Sequence, residues 1–236
     1  MSTGLIVALD EPDLPKAEHL AKQLAGKVSA FKVGLTFFAA YGPEAIREIG
    51  QHAPIFCDLK LHDIPAQVGS AAEELTRLGV WMFTVHASGG PAMITAAAKA
   101  AKSVNGAVKA TDRPLVAAVT VLTSIDEETL DSVGQGADAA AQVSRLAKLA
   151  FDAGATALVC SPLEVASLRQ IFGPEVVLVV PGIRPANASA DDQARVLTPA
   201  QAAEAGASYI VVGRPITAAP DPVQATEEIL AELGSR

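Results

Sequence analysis

The chain has 236 residues, half of them hydrophobic and 4% aromatic, with a formal net charge of -8. That length and apolar content suffice for a sizeable core in one domain, and the acidic balance argues against a sequence-independent binder of nucleic-acid phosphates. An anionic small substrate stays open, because a few local cations can outweigh the global charge.

The elements alternate from end to end. LIVAL from Leu5 reads as a strand closed by Asp10, and KAEHLAKQLAG as a helix ending at Gly26, a C-cap residue. AFKVG from Ala30 is the second strand, with Lys32 near its end; IFCDLK from Ile55 is the third, with Asp58 and Lys60 at its end and Asp63 just beyond. MFTVHA from Met82 ends at His86, and LVAAVTVL from Leu115 is closed by Thr123 at its end. A helix follows in DAAAQVSRLAKLAFDAGA, whose apolar positions recur at three and four residues before Gly154. ALVCS from Ala157, VVLVVPG from Val176 and YIVVG from Tyr209 complete eight strands, with Arg184 after the seventh and Arg214 after the eighth. Pro43, Pro91, Pro162, Pro199 and Pro222 each sit near the start of a helical stretch, where a missing N–H costs little. Most strands are continuous apolar runs, as parallel strands covered by helices should be. Eight βα units in one chain predict an α/β fold, a single (β/α)8 barrel domain over residues 1–236, in preference to a doubly wound sheet.

The N-terminal MSTGLIVALDEP has no basic segment before its apolar run and does not read as a signal peptide; no apolar stretch is long enough to span a bilayer. Cys57 and Cys160 match no metal or redox spacing. A cytoplasmic protein with no membrane or nucleic-acid partner is expected.

Nearly every charged residue in a strand-like run lies at its C-terminal end, the catalytic face of a barrel. Asp58 and Lys60, two apart, point to one side of a strand, and Cys57 to the other, towards the helices. Alone the pair also fits a structural salt bridge. With Lys32 and Asp63 the reading becomes functional, since four alternating charges at a barrel mouth are costly to desolvate. Gly213 in VVGRPIT lets the backbone approach a ligand, and Arg214 can grip phosphate with two donors, although a surface arginine beside a turn glycine reads the same way. His62 and His86 with Asp58 and Asp63 invite a metal reading, but no short ligand motif such as HExxH is present, and no metal is expected. His19 and His52 read as helix-surface residues. The segment IRPANASADDQARV after the seventh strand reads as a βα loop on the active face and a natural lid.

DLKLHDIP, from Asp58 to Pro65, resembles the signature of orotidine 5'-monophosphate decarboxylases, and the resemblance runs from VALD and FKVG through VHASGG, AVTVLTS and PGIRP to GRPIT. DxKxxD alone also occurs in related sugar-phosphate decarboxylases; PGIRP, DDQ and GRPIT are more specific and look like the bacterial branch. The resemblance implies a cofactor-free decarboxylation of orotidine 5'-monophosphate to uridine 5'-monophosphate in a homodimer with shared active sites. Asp10 and Lys32 would hold ribose hydroxyls, with Lys32 also in the charge network, and Asp58 would lie against the substrate carboxylate. Lys60 would protonate the ring carbon, and Asp63 would reach in from the neighbouring subunit. Thr123 would sit at the pyrimidine, and Pro181 of PGIRP counts with the substrate-binding residues. Arg184, Gln193, Gly213 and Arg214 would serve the phosphate. After DIP the family usually has Asn-Thr where this chain has Ala66 and Gln67; the Gln67 amide would stand in for the threonine that fixes substrate across the interface. Two other readings are a magnesium-dependent sugar-phosphate decarboxylase or aldolase of the same barrel group, and a non-catalytic phosphate-ligand sensor, which could dispense with Lys60.

Overall fold

The computed structural model describes residues 2–103, 113–185 and 197–234. Its strands are β1 (Gly4–Leu9), β2 (Ala30–Gly34), β3 (Ile55–Leu61), β4 (Met82–His86), β5 (Leu115–Val119), β6 (Ala157–Val159), β7 (Val177–Val180) and β8 (Tyr209–Val212). All pair in parallel, in sequence order, and β8 closes on β1 with Gly4 opposite Tyr209 and Val7 opposite Val212. The helices are α1 (Leu14–Leu24), α2 (Leu35–Ile49), α3 (Pro65–Arg77), α4 (Gly90–Ser103), α5 (Glu127–Ser132), α6 (Ala139–Asp152), α7 (Val165–Phe172), α8 (Pro199–Ala205), α9 (Arg214–Thr217) and α10 (Pro222–Gly234). The predicted eight-stranded α/β barrel is the observed fold.

Strand alternation separates two cores. Leu5, Val7, Phe31, Val33, Phe83, Leu178 and Ile210 face outward and are buried against the helices. Ile6, Ala8, Ala30, Phe56, Met82, Ala117, Ala157, Val179 and Val211 face inward. The inner layer is mostly small residues around two bulky ones, Phe56 and Met82, and Trp81 meets Tyr209 edge-on at 5.1 Å between ring centroids. Packing therefore fills the lower barrel, as barrels of this kind require, and leaves the mouth open.

Local chemistry accounts for the helix starts. Asp13, Asp126, Asp138 and Thr198 each accept a hydrogen bond from the backbone three residues on, and Gln201 returns the bond to Thr198. Each such cap contributes about 1 kcal/mol. Pro65, Pro91, Pro199 and Pro222 stand in the first turns of their helices, and Pro162 opens a 3-10 turn before α7. Pro43 differs: it lies inside α2, after Gly42 at φ 62°, and starts the second limb of a broken helix. Gly26 follows the α1 cap Ala25 at φ 75°, the left-handed position that glycine tolerates. His52 lies in the turn after α2 rather than on a helix face. Most of the segment read as a lid, residues 186–196, lies outside the described residues, and Gln193 with it.

Candidate active site

The barrel mouth encloses a cavity of about 890 Å³. Its floor is the top of the inner core: Ala8, Phe56, Val159, Val179 and Val211. Asp10, Lys32, Asp58 and Lys60 line one side. The Lys32 ammonium lies 2.6 Å from Asp10 Oδ1 and 3.6 Å from Asp58 Oδ2, and the Lys60 ammonium lies 2.9 Å from both Asp58 oxygens. The result is a continuous chain, carboxylate–ammonium–carboxylate–ammonium. Asp58 is its most enclosed anion, with a side chain 13% exposed against 61% for Asp10. Two charges this close, partly shielded from water, attract far more strongly than a surface pair.

The geometry of β3 explains how Asp58 and Lys60 share a side. Cys57 stands opposite Phe83 and Leu61 opposite Val85, so Asp58, Leu59 and Lys60 face the single residue Thr84. The strand bulges there, and Lys60 takes φ 52°, the one positive value at a non-glycine among the described residues. Regular alternation reaches the correct side, but the bulge and a left-handed lysine are the actual device. A non-glycine residue held in that region stores about 1–3 kcal/mol. Bulges of this kind re-aim a side chain and are over-represented beside active sites.

Two residues that the sequence reading passes over support the pair. Thr84 is fully buried; its Oγ1 accepts the Lys60 backbone N–H at 2.7 Å and donates to Asp58 Oδ1 at 3.0 Å. Only its inward parity on β4 could have singled it out. Gly34 ends β2 where a Cβ would lie 3.0 Å from Asp10 Oδ1 and 3.3 Å from Lys32 Nζ, so its missing side chain leaves room for that ion pair.

Val119, Val121, Leu122, Thr123, Pro181, Gly182, Arg184, Gly213 and Arg214 line the remaining wall. Thr123 lies in the loop four residues past the end of β5, not at the strand end expected from sequence, because the ladder with β6 stops at Val119. Arg214 opens α9 directly after β8, beside Gly213. Asp63 and Gln67 do not line this cavity. Both are exposed, and Asp63 Oδ1 accepts the Ile64 N–H at 2.6 Å. Between them in sequence, Ile64 is 63% exposed.

His62 and His86 lie with their ring centroids 5.4 Å apart and their planes tilted by 37°. Burial, then the charges of His62 and Lys60, hold His86 below the ordinary histidine value. Among the described residues no group of three or more His, Cys, Asp or Glu is placed to hold a metal ion. The two cysteines are free and buried; burial pushes Cys57 up to about 12, and pushes Cys160 up too, so both thiols stay neutral. Cys57 packs on the helix side, as its parity with Asp58 and Lys60 required. Among the described residues no helix is long and apolar enough to cross a membrane.

The profile of the Orotidine 5'-phosphate decarboxylase / HUMPS family matches residues 3–229. The chain is similar to the orotidine 5'-phosphate decarboxylase of Moorella thermoacetica, 50% identical over 97% of this chain and 91% of that protein. It is likewise similar to that of Paramagnetospirillum magneticum, 49% identical over 99% of this chain and 100% of the other. Among solved structures it resembles orotidine 5'-phosphate decarboxylase from Lactobacillus acidophilus, with a TM-score of 0.85 at 39% identity, over 98% of this chain and 99% of that one.

Proposed function

The chain belongs to the Orotidine 5'-phosphate decarboxylase / HUMPS family, and on that footing we propose that it converts orotidine 5'-monophosphate to uridine 5'-monophosphate and carbon dioxide. It does so as one catalytic domain, without a cofactor, in pyrimidine nucleotide synthesis in the cytoplasm. The observation that carries the reading is the unbroken Asp10–Lys32–Asp58–Lys60 chain along one wall of the cavity.

Loss of carbon dioxide leaves an electron pair on a ring carbon with little resonance stabilisation. The charge chain answers that need by electrostatics. The substrate carboxylate, seated beside Asp58, meets a fixed negative charge whose repulsion is relieved as neutral carbon dioxide departs. The Lys60 ammonium, already held within 2.9 Å of Asp58, stabilises the developing carbanion and then delivers a proton to the same carbon. Lys32 and Asp10 bind the ribose hydroxyls, Thr123 sits at the pyrimidine, and Pro181 lines the substrate cavity. Arg214, the Gly213 backbone, Arg184 and Gln193 hold the phosphate. Phosphate binding remote from the reacting carbon then serves the chemical step.

The exposed positions of Asp63 and Gln67, with exposed Ile64 between them in sequence, support a homodimer in which Asp63 and Gln67 enter the partner's cavity. An isologous two-fold contact would carry them across.

The test is an absorbance assay with orotidine 5'-monophosphate in the presence of a chelator. Turnover with release of carbon dioxide is expected. No turnover, with decarboxylation of a sugar-phosphate acid in magnesium instead, would move the chain to the other activity of this barrel group.

A further inference from the structure

We propose that Thr84 is a positioning residue for this reaction: its hydroxyl locks the left-handed turn at Lys60 and pins Asp58, so that the ammonium is aimed before substrate arrives. The proposal rests on the decarboxylase reading above. Three residues of β3 stand opposite Thr84 alone, so the ladder has no regular partner for the Lys60 N–H. That N–H goes to Thr84 Oγ1 at 2.7 Å, and the same oxygen lies 3.0 Å from Asp58 Oδ1.

The direction of both bonds is forced. A backbone N–H only donates and an ionised carboxylate only accepts, while a hydroxyl can do both at once. The Thr84 hydroxyl therefore has one arrangement, acceptor to Lys60 and donor to Asp58. Its β-branched side chain is stiff at χ1, and it is fully buried, so the clamp has little freedom to drift. It joins the backbone of one catalytic candidate to the carboxylate of the other, and Thr84 is not among the residues that line the cavity. A displacement of about 1 Å at a reacting group can cost roughly a hundredfold in rate.

The test compares Thr84→Val, which keeps the shape but neither accepts nor donates, with Thr84→Ser, which keeps the hydroxyl. Thr84→Val should lower kcat for orotidine 5'-monophosphate by about tenfold to a hundredfold with KM moving less than about threefold, and Thr84→Ser should return most of the loss. A merely structural threonine would change stability but not kcat per folded molecule. Folded Thr84→Val with wild-type kcat overturns the proposal, as does Thr84→Ser as impaired as the valine variant. A second measurement needs no turnover. The Lys60 amide should exchange slowly with solvent in the wild type and in Thr84→Ser, and rapidly in Thr84→Val. Rapid exchange in the wild type overturns the lock even where the valine variant fails to fold. A wild type that ignores orotidine 5'-monophosphate but protects this amide removes the functional reading instead.

Discussion

The two sides of the barrel mouth face the same cavity with opposite surfaces. At the ends of β1, β2 and β3 the wall is ionic, and its four charges are paired with one another at contact distance. On the side of β5 to β8 it is aliphatic, with Val119, Val121 and Leu122, until Arg184 and Arg214. The ionic side is organised before any ligand binds, so its charges need little rearrangement during reaction. The aliphatic side suits a flat ring, and its arginines suit an anion held away from the reacting carbon. The contrast separates the reacting charges from the grip on ring and phosphate, and variants at Lys60 and at Arg214 should therefore fail in different ways.

The largest effect is expected at Lys60. Lys60→Ala should lower kcat on the order of a thousandfold or more while the protein stays folded, since a methyl group cannot deliver a proton and the residue lies at a strand end. Stopped assays with orotidine 5'-monophosphate, alongside circular dichroism, measure both quantities. Substantial turnover by a folded Lys60→Ala protein would take the proton donor away from the ionic side.

On the opposite side, Arg214→Ala should raise KM for the phosphorylated substrate by roughly 10- to 100-fold, the range expected for one lost charge-assisted contact. Turnover of orotidine, which lacks the phosphate, should stay near that of the wild type. Equal damage to both substrates would give Arg214 a part in the chemistry and erase the division of labour.

A smaller change sharpens the ionic side itself, by asking which subunit supplies Asp63. Lys60→Ala and Asp63→Ala chains, each nearly inactive, are mixed and allowed to exchange. With shared sites, half the dimers are mixed and each of those has one intact site, so roughly a quarter of wild-type activity should return. Demonstrated exchange with no recovery would place Asp63 in its own subunit's service.

The smallest effect concerns His86, at the top of β4 between the two surfaces. Its folded-state value lies below the ordinary 6.5, so the unfolded chain takes up the proton first as pH falls. Stability should be full above about pH 6.5 and should decline as pH drops below it, because there the unfolded state binds more protons. Urea midpoints at pH 7.5 and 5.5 should differ for the wild type and differ less for His86→Gln. An unchanged pH dependence in that variant would exclude His86 as the source.

Much of the fold was legible along the chain because its signals are local. A run such as AFKVG, apolar and bounded, matches β2 at both ends, and Asp138 before an apolar period starts α6 where a cap is needed. Charges placed at strand ends were legible for the same reason, since chain direction alone tells which end of a parallel strand faces the mouth. Pro43 does open a helical stretch, although no local signal told that the stretch is the second limb of a helix broken at Gly42. Thr123 misled because the strand ends where its partner ends, and β6 is only three residues long.

What the sequence by itself determined was the period and the order: eight apolar strands, their helices, and the ends at which Asp10, Lys32, Asp58, Lys60 and Arg214 stand. What only the tertiary structure decided was contact. No local signal marks Lys60 for a left-handed backbone, because that conformation exists only where β4 presents Thr84 to a bulged β3. Nor does any local signal tell Asp63, which faces outward, from Asp58, which faces Lys32 and Lys60, although the two are five residues apart. Propensity acts over a few neighbouring residues, whereas a hydrogen bond across 24 or 26 positions forms only when the closed barrel brings its ends together.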